Sequence, residues 1–271
     1  MVIQDNTQRD SISQVSENIQ PDACSQICES SQPNSGSQIC ENPRPNSGFR
    51  IGVIFDCDGT LLDTLGVWEE FECEFARRAG YEFTLEDSNY LATLTIPETG
   101  AFMHNQLGLG KDADDVVRMM DEYFIDYYAT RAGERPGALS FVRGLHEQGV
   151  EMCVASSSPL PYLQAGLKHT GFAPYLKAII SVDDVGASKR EPRIYEHARE
   201  ILGTPPESTW VFEDAAYALR TVRGVGFHTV GIYDCDISGM RKELKELADI
   251  YLESFEGFTA EKFLEQARAL A

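Results

Sequence analysis

The sequence lacks the features that would place the protein in a membrane or in an oxidising compartment. No apolar run reaches the length of a membrane span, and the first residues contain no basic segment followed by an apolar one. The seven cysteines are scattered, odd in number and without a CxxC pair, which argues against a disulfide framework and a zinc site. We therefore expect a cytoplasmic protein that does not contact membranes.

Basic residues are also scarce relative to acidic ones. The chain has 23 Lys and Arg against 43 Asp and Glu, which gives a formal net charge of −20. Such a surface repels nucleic acid phosphates and anionic lipids, so neither is an expected partner. A small anionic ligand remains compatible with this charge if a metal ion, a few basic side chains and oriented amides make one pocket locally positive.

The first 48 residues have almost no aliphatic or aromatic periodicity. They are rich in Ser, Gln, Asn and Pro, and they contain two copies of a twelve-residue unit: residues 25–29 recur as 37–41, and 33–36 recur as 45–48. Two polar copies are too few for a solenoid, which needs about three stacked apolar units. We predict a disordered tail over residues 1–48, because such a composition cannot bury enough surface to offset chain entropy.

Short apolar runs alternate with helical patterns in most of the remaining chain. A buried strand is predicted at residues 51–55, and further strands at 150–155, 178–182, 209–212 and 227–232. Helices are predicted between them at 139–148, 160–169, 192–202 and 215–223, and the charged stretch 242–256 is typical of a solvated helix and a sheet edge. This alternation predicts an α/β fold with a Rossmann-like parallel sheet.

A long helical segment interrupts the alternation after the first strand. Within residues 67–131, an apolar stripe recurs every three to four residues at Val116, Met119, Met120, Tyr123, Phe124, Tyr127 and Tyr128. The stripe is typical of helix packing rather than of a cofactor site. We interpret residues 67–131 as a helical insert, and residues 49–66 together with 132–271 as the α/β core.

Acidic, hydroxyl and basic side chains follow four of the predicted strands. In chain order they are Asp56 and Asp58, Ser156 and Ser157, Lys189, and Glu213 and Asp214. Each group alone has a simpler interpretation, since an Asp-Gly pair often marks a turn and a serine run a loop. In open parallel sheets, however, ligands bind at the carboxyl ends of the strands, so the shared position favours one site.

The first pair of carboxylates suits phosphoryl transfer. Asp56 can attack phosphorus to give an aspartyl phosphate, provided that a divalent cation reduces the repulsion between the two anions. Asp58 can protonate the leaving oxygen and later take a proton from water. The sequence therefore predicts Asp56 as the nucleophile and Asp58 as the acid and base.

The later groups supply what such a reaction needs around the phosphate. The hydroxyls and amides of Ser156 and Ser157 suit phosphate oxygens, and Lys189 can neutralise their charge. Glu213 and Asp214 are adjacent carboxylates at a strand end, a source of hard oxygen ligands for Mg²⁺.

In this order, the motifs resemble those of the haloacid dehalogenase superfamily of phosphohydrolases. The resemblance extends from about Gly48 to the C-terminus and is strongest in IFDCDGTLLDT at 54–64 and VFEDA at 211–215. It implies Mg²⁺ as cofactor and a small phosphorylated metabolite as substrate. The implied ligands of the metal are Asp56, the backbone carbonyl of Asp58, Glu213 and Asp214, and the implied phosphate contacts are Ser156 and Lys189.

The resemblance also bears on the insert and on the reaction type. The insert resembles the C1 cap of this superfamily, with hinges at 64–66 and 132–137. The dehalogenases lack an acid at the position of Asp58, so carbon–halogen cleavage is disfavoured. The third motif departs from the family pattern, because Lys189 is followed by Arg190 where proline is usual, and both cations remain candidates for the phosphate contact.

Three positions distinguish hydrolysis from transfer to a second sugar hydroxyl. The β-phosphoglucomutase-like group carries a histidine at the position of Trp68, a lysine at that of Pro159 and an arginine within 90–99, and this sequence has none of them. Without a basic side chain in residues 90–99 to hold a second phosphate, a bisphosphate intermediate has little to orient it. Trp68 and residues 156–160 are similar to sugar-phosphate phosphatases, although Trp68 also suits helix packing with Phe71.

We therefore predict a monomeric Mg²⁺-dependent phosphatase acting on a small phosphorylated metabolite such as a sugar phosphate. Two alternatives stay open from the sequence: a sugar-phosphate mutase, and a catalytically silent binding protein with the same fold. The altered third motif and the repeat-bearing tail motivate the second alternative.

Overall fold

The computed structural model describes residues 50–270 apart from 85–86, 88–89, 92–93 and 234–240. The predicted tail at residues 1–48 lies outside the described residues. Residues 45–271 belong to one compact unit.

The described strands form one parallel sheet of six strands and one short antiparallel pair. In chain order, the strands are β1 Gly52–Phe55, β2 Leu62–Asp63, β3 Gly133–Glu134, β4 Glu151–Ser156, β5 Ala178–Ser181, β6 Thr209–Glu213, β7 His228–Ile232 and β8 Ile250–Leu252. The order across the larger sheet is β5-β4-β1-β6-β7-β8. Strand β1 therefore lies centrally between β4 and β6, and the carboxyl ends of all three meet at one edge.

Helices connect the strands of the described chain. In chain order, they are α1 Gly66–Ala79, α2 Ile96–Leu107, α3 Ala113–Thr130, α4 Ala138–Glu147, α5 Leu160–His169, α6 Val182–Val185, α7 Arg193–Leu202, α8 Ala216–Gly224, α9 Arg241–Leu247 and α10 Ala260–Leu270. None of these helices is long and apolar enough to cross a membrane.

Strand β1 shows why the sheet is buried on both faces. Its four residues are all buried, and successive side chains point to opposite sides of the strand. Val53 and Phe55 belong to one hydrophobic core, whereas Ile54 belongs to the core on the other face. A continuous apolar run is the expected pattern for such a strand.

The α/β fold predicted from the sequence is confirmed. The five predicted strands and the four helices predicted between them are present, and their ends differ from the predicted ones by no more than one residue. The charged stretch at 242–256 contributes α9 and the edge strand β8, as expected. Four described elements, β2, β3, α6 and α10, were not predicted from the sequence.

Three described helices lie between β2 and β3, within the predicted insert. Helix α3 begins where the Asp112 side chain accepts a hydrogen bond from the Asp115 amide, at 2.7 Å. Four members of the predicted stripe, spaced four positions apart along α3, are buried: Val116, Met120, Phe124 and Tyr128. The antiparallel pairing of β2 with β3 joins the two ends of the insert. The division into core and cap stays a prediction.

Candidate active site

Asp56 directly follows the central strand β1. Its amide donates to the Phe212 carbonyl of β6 at 2.9 Å, so the sheet pairing continues to this residue and fixes its backbone. The chain then turns sharply at Gly59, whose φ is +83°. A Cβ at Gly59 would lie 2.5 Å from Asp214 Oδ2, so the missing side chain lets that carboxylate approach the loop.

Lys189 bridges two buried carboxylates at the carboxyl end of the sheet. Its Nζ donates to Asp56 Oδ1 and also to Glu213 Oε1, the latter at 2.6 Å. The Tyr195 hydroxyl donates to the same oxygen of Glu213 at 2.9 Å. Lys189, Asp56 and Glu213 are all buried, so this charge cluster is shielded from solvent.

Burial and mutual charge shift the pKa values of this cluster. Burial raises the pKa of Asp56 to about 7, against the opposing effect of Lys189 and with smaller contributions from Glu213 and Asp58. Burial alone would lower the pKa of Lys189, but Asp56 and Glu213 together raise it well above its usual range. Lys189 therefore stays charged beside Asp56.

Asp58 is held by hydroxyl groups rather than by a cation. Its Oδ1 accepts hydrogen bonds from Thr64 Oγ1 and from the Tyr128 hydroxyl, each at 2.5 Å, and its Oδ2 accepts one from Ser158 Oγ at 2.7 Å. Burial, followed by the charge of Asp58, raises the pKa of Tyr128 well above its usual range, so this hydroxyl stays protonated and donates. The carboxylates of Asp56 and Asp58 thus lie in different environments.

Three carboxylates converge where a cation could bind. Single oxygens of Asp56, Glu213 and Asp214 all lie within 4.8 Å of one another. Three hard oxygen donors facing one lysine leave an excess of negative charge, which fits a divalent cation such as Mg²⁺. The side chain of Asp58 is turned towards its hydroxyl donors and is not one of these three carboxylates.

The comparisons with known proteins agree with this geometry. The family model of the haloacid dehalogenase-like hydrolases matches residues 52–226, from β1 to the turn after α8. This chain belongs to that family. The resemblance inferred from the motifs is therefore confirmed, and so is the assignment of the chain as a hydrolase.

Named relatives of this haloacid dehalogenase-like hydrolase match most of its length. Hexitol phosphatase A of Escherichia coli (strain K12) is 26% identical over 212 residues, which cover 78% of this chain and 94% of that protein. Protein CbbY of Cereibacter sphaeroides is 28% identical over 219 residues, 75% of this chain and 91% of that protein. A crystal structure of a β-phosphoglucomutase candidate from Thermotoga maritima shares the fold, with a TM-score of 0.66, 21% identity and coverage of 82% of this chain and 100% of that one.

Lys189 and Arg190 are neighbours in sequence but lie in different environments. Lys189 reaches Asp56 and Glu213, whereas Arg190 is exposed and its guanidinium lies over the Tyr217 ring, 4.5 Å from the ring centre. Of the two candidates left open by the sequence, Lys189 is the one at the carboxylates.

The serines predicted to bind phosphate lie at the same sheet edge. Ser156 is buried at the end of β4, where its Oγ accepts a hydrogen bond from the Ser158 amide at 3.1 Å and lies 3.5 Å from Asp58 Oδ2. Ser157 is exposed. The third serine of the run, Ser158, makes the shorter contact with Asp58, and nothing in the sequence distinguishes it from its two neighbours.

An aromatic row extends from Asp58 into the insert. Tyr128 stacks on Tyr162 with ring centres 5.7 Å apart, Tyr162 stacks on Phe124 at 5.4 Å, and Trp68 lies 4.4 Å from Phe124. Trp68 packs against Phe124 on one side, and 37% of its surface is exposed. The helix packing that its spacing with Phe71 predicts therefore accounts for only part of its surface.

Tyr128 adds a polar contact to the helix packing predicted for its stripe. Val116, Met120 and Phe124 on α3 are buried, as packing requires. Tyr128 also reaches Asp58 through its hydroxyl. The residue type could have indicated this contact, because the hydroxyl of a buried tyrosine needs a hydrogen-bond partner, whereas a phenylalanine has none to satisfy.

Proposed function

We propose that this hydrolase is a Mg²⁺-dependent phosphatase that removes phosphate from a small phosphorylated sugar through an aspartyl phosphate at Asp56. The observation that supports the proposal most strongly is that Asp56 and Asp58 lie in different surroundings. Asp56 lies against a lysine and within a cluster of metal-binding oxygens, whereas Asp58 is surrounded by hydroxyl donors. These environments suit a nucleophile and a proton-transfer group, respectively.

In the first step, a carboxylate oxygen of Asp56 attacks phosphorus. The bond between phosphorus and the sugar oxygen breaks, its electron pair stays on that oxygen, and Asp58 donates a proton there. In the second step, water attacks the phosphoryl group while Asp58 accepts a proton from it. Asp56 is released as a carboxylate and inorganic phosphate leaves.

The surrounding residues reduce the negative charge that opposes attack. We assign Asp56, Glu213, Asp214 and the backbone carbonyl of Asp58 as the ligands of Mg²⁺. When bound, this ion would screen the repulsion between Asp56 and the phosphate.

Phosphate oxygens would be held by residues at the end of β4 and in the segment after β5. Lys189 is already beside the nucleophile and can contact an oxygen of the group that Asp56 attacks. The hydroxyl of Ser156 and the amides of Ser156 and Ser157 are the further contacts that we assign.

The sugar class of the substrate is inferred from the relatives. Hexitol phosphatase A is a phosphatase by name and matches this chain over most of its length.

We further propose that residues 67–131 form a cap over a core of residues 49–66 and 132–271, because closure of such a segment excludes water from the reaction. A monomeric state stays a prediction.

A screen of phosphorylated metabolites with Mg²⁺ tests the proposal. We expect phosphate release from one or more sugar phosphates, its loss on chelation of the metal, and its loss in the Asp56→Asn variant. Conversion of a sugar phosphate into its positional isomer, dependent on a sugar bisphosphate activator and without net phosphate release, would instead support a mutase. Phosphate binding without turnover of any compound would support a binding protein.

A further inference from the structure

We propose that Tyr128 is a positioning residue that orients Asp58 for proton transfer. Its hydroxyl donates to Asp58 Oδ1 across 70 positions of sequence, from the helical insert to the loop after β1. The inference rests on the proposed function, because it requires Asp58 to be the acid and base. It adds a residue outside the four motifs, and it makes the orientation of Asp58 depend on the placement of α3.

The position of the Tyr128 ring is fixed by close packing. The ring is buried and stacks on Tyr162 of α5 at an interplanar angle of 30°. Gly166, one turn further along α5, leaves the space that the ring occupies, since a Cβ there would lie 2.7 Å from Tyr128 Cδ1. The hydroxyl therefore has little freedom to leave Asp58 while α3 stays against α5.

A second hydrogen bond secures the same face of α3. The Tyr162 hydroxyl donates to Asp121 Oδ1 at 2.5 Å, and Asp121 lies seven residues, or about two helical turns, before Tyr128. Helix α3 is thus attached at two points, one to α5 and one to the Asp58 loop.

Loss of the Tyr128 hydroxyl would loosen one side of the Asp58 carboxyl. Oδ1 would keep the hydrogen bond from Thr64, and Oδ2 the one from Ser158, so the group would remain bound but less restricted in rotation. Proton transfer depends steeply on such alignment, since a misplacement of about 1 Å can cost roughly 100-fold in rate. Binding of the phosphate, which Asp58 does not hold, should be little affected.

The test compares two substrates that differ in their need for an acid. A sugar phosphate has a poor leaving oxygen that must be protonated, whereas 2,4-dinitrophenyl phosphate releases a stable phenolate without help. In Tyr128→Phe, we expect kcat/KM for the sugar phosphate to fall roughly ten-fold or more, with KM little changed. For the aryl phosphate, kcat/KM should stay within about three-fold of wild type, because this constant reports only the first step.

Three features of the design separate positioning from a structural effect. The ratio of the two kcat/KM values does not depend on the fraction of folded protein, because both substrates are measured on one sample. The matched control is Tyr127→Phe, on the same helix, where the Tyr127 ring lies under Arg131 and we expect both substrates to be unaffected. In Tyr128→Phe, the aryl phosphate should also give a burst of about one phenolate per site before slow turnover, since Asp58 must still activate water.

The Asp58→Asn variant distinguishes the two ways in which the test can fail. If this variant slows both substrates equally, the acid role of Asp58 in the proposed function is wrong. If it discriminates between the substrates and Tyr128→Phe does not, the role of Tyr128 alone is wrong. An equal loss on both substrates in Tyr128→Phe also overturns the inference.

Discussion

Lys189 links the two buried carboxylates of Asp56 and Glu213. It lies between Asp56 and Glu213, and all three side chains are removed from water. Buried carboxylates are tolerated when they are paired, but removal of one partner leaves an uncompensated charge. The cluster therefore makes a prediction about stability as well as about catalysis.

We expect Lys189→Met to lower the free energy of unfolding by about 3–5 kcal/mol in the absence of metal. Mg²⁺ should restore part of this loss, because it supplies positive charge to the same carboxylates. Urea denaturation with Mg²⁺ and with a chelator measures both effects. Arg190→Met is the matched control: it is exposed over Tyr217, so its loss should cost no more than about 1 kcal/mol. Equal destabilisation by the two variants would contradict the assignment.

Asp56 makes the stability of the metal-free protein depend on pH. Burial raises its pKa from the ordinary value of 3.8 to about 7, so the folded protein binds this proton more tightly than the unfolded chain does. The resulting stabilisation is fully present below about pH 4 and is lost as pH rises through about 7.

The free energy of unfolding of the wild type, relative to Asp56→Asn, should therefore decline between about pH 5 and pH 7 when a chelator is present. Mg²⁺ should reduce the decline, because the metal binds the ionised carboxylate. A difference between the two proteins that is independent of pH would show that Asp56 does not titrate in this range.

The proximity of residues that follow neighbouring strands could be predicted from the sequence. Their contacts with residues of the helical insert could not. Asp56, Asp58, Lys189, Glu213 and Asp214 could be predicted because a parallel sheet brings the carboxyl ends of its strands together. The contact of Tyr128 with Asp58 could not be predicted in this way. It depends on how a helix of the insert packs against α5, and helical periodicity does not specify that packing.

Helices α3 and α5 approach closely at Gly166. Glycine in a helix is usually about 0.5–1 kcal/mol less favourable than alanine, so a Gly→Ala change stabilises a helix where space allows. At Gly166, the added Cβ would lie 2.7 Å from Tyr128 Cδ1 and 2.9 Å from Leu62 Cδ1. The space that stabilisation requires is therefore absent.

We expect Gly166→Ala to lower the free energy of unfolding by about 1–3 kcal/mol, since both neighbours belong to the packed core. It should also reduce turnover of a sugar phosphate more than that of an activated aryl phosphate, because the displaced ring belongs to Tyr128. Gly224→Ala in α8 is the control: apart from the adjacent residues and the backbone of its own helix, no atom lies within 4 Å of the added Cβ, so a gain of up to about 1 kcal/mol is expected. Urea denaturation of the two variants decides between steric conflict and simple helix propensity.

Regular alternation explains which elements could be predicted. Five strands of the parallel sheet are apolar runs between helical patterns, and their ends were predicted to within one residue. Strands β2 and β3 have two residues each, too few to show a period, and they pair only because the insert brings its two ends together. Such elements follow from tertiary structure rather than from local sequence.

The whole chain combines a strongly acidic composition with one buried lysine at the active site. Its net charge of −20 opposes a broad attraction to anions, so the affinity for a phosphate must be local. Lys189, a bound divalent cation and backbone amides are the sources of positive potential that the site can offer. The specificity that we propose, for small phosphorylated compounds, agrees with this contrast between surface and site.

Residues 45–271 form a compact unit, and the family match begins at residue 52. A protein that starts at Pro45 should therefore show the same urea midpoint and the same kcat/KM as the full chain. Parallel purification and assay of both proteins with one sugar phosphate test this expectation. A large loss of activity with unchanged stability would show that the first 44 residues act on the site.

The most direct test of the account is to detect a phosphoryl group on Asp56. The hydrolase, and its Asp58→Asn variant to slow the second step, would be mixed with 2,4-dinitrophenyl phosphate and Mg²⁺, quenched in acid and analysed by peptide mass spectrometry. The account predicts one added phosphoryl group on the peptide that contains Asp56, removable by hydroxylamine and absent in Asp56→Asn. A phosphoryl group on another residue, or turnover that persists in Asp56→Asn, would contradict it.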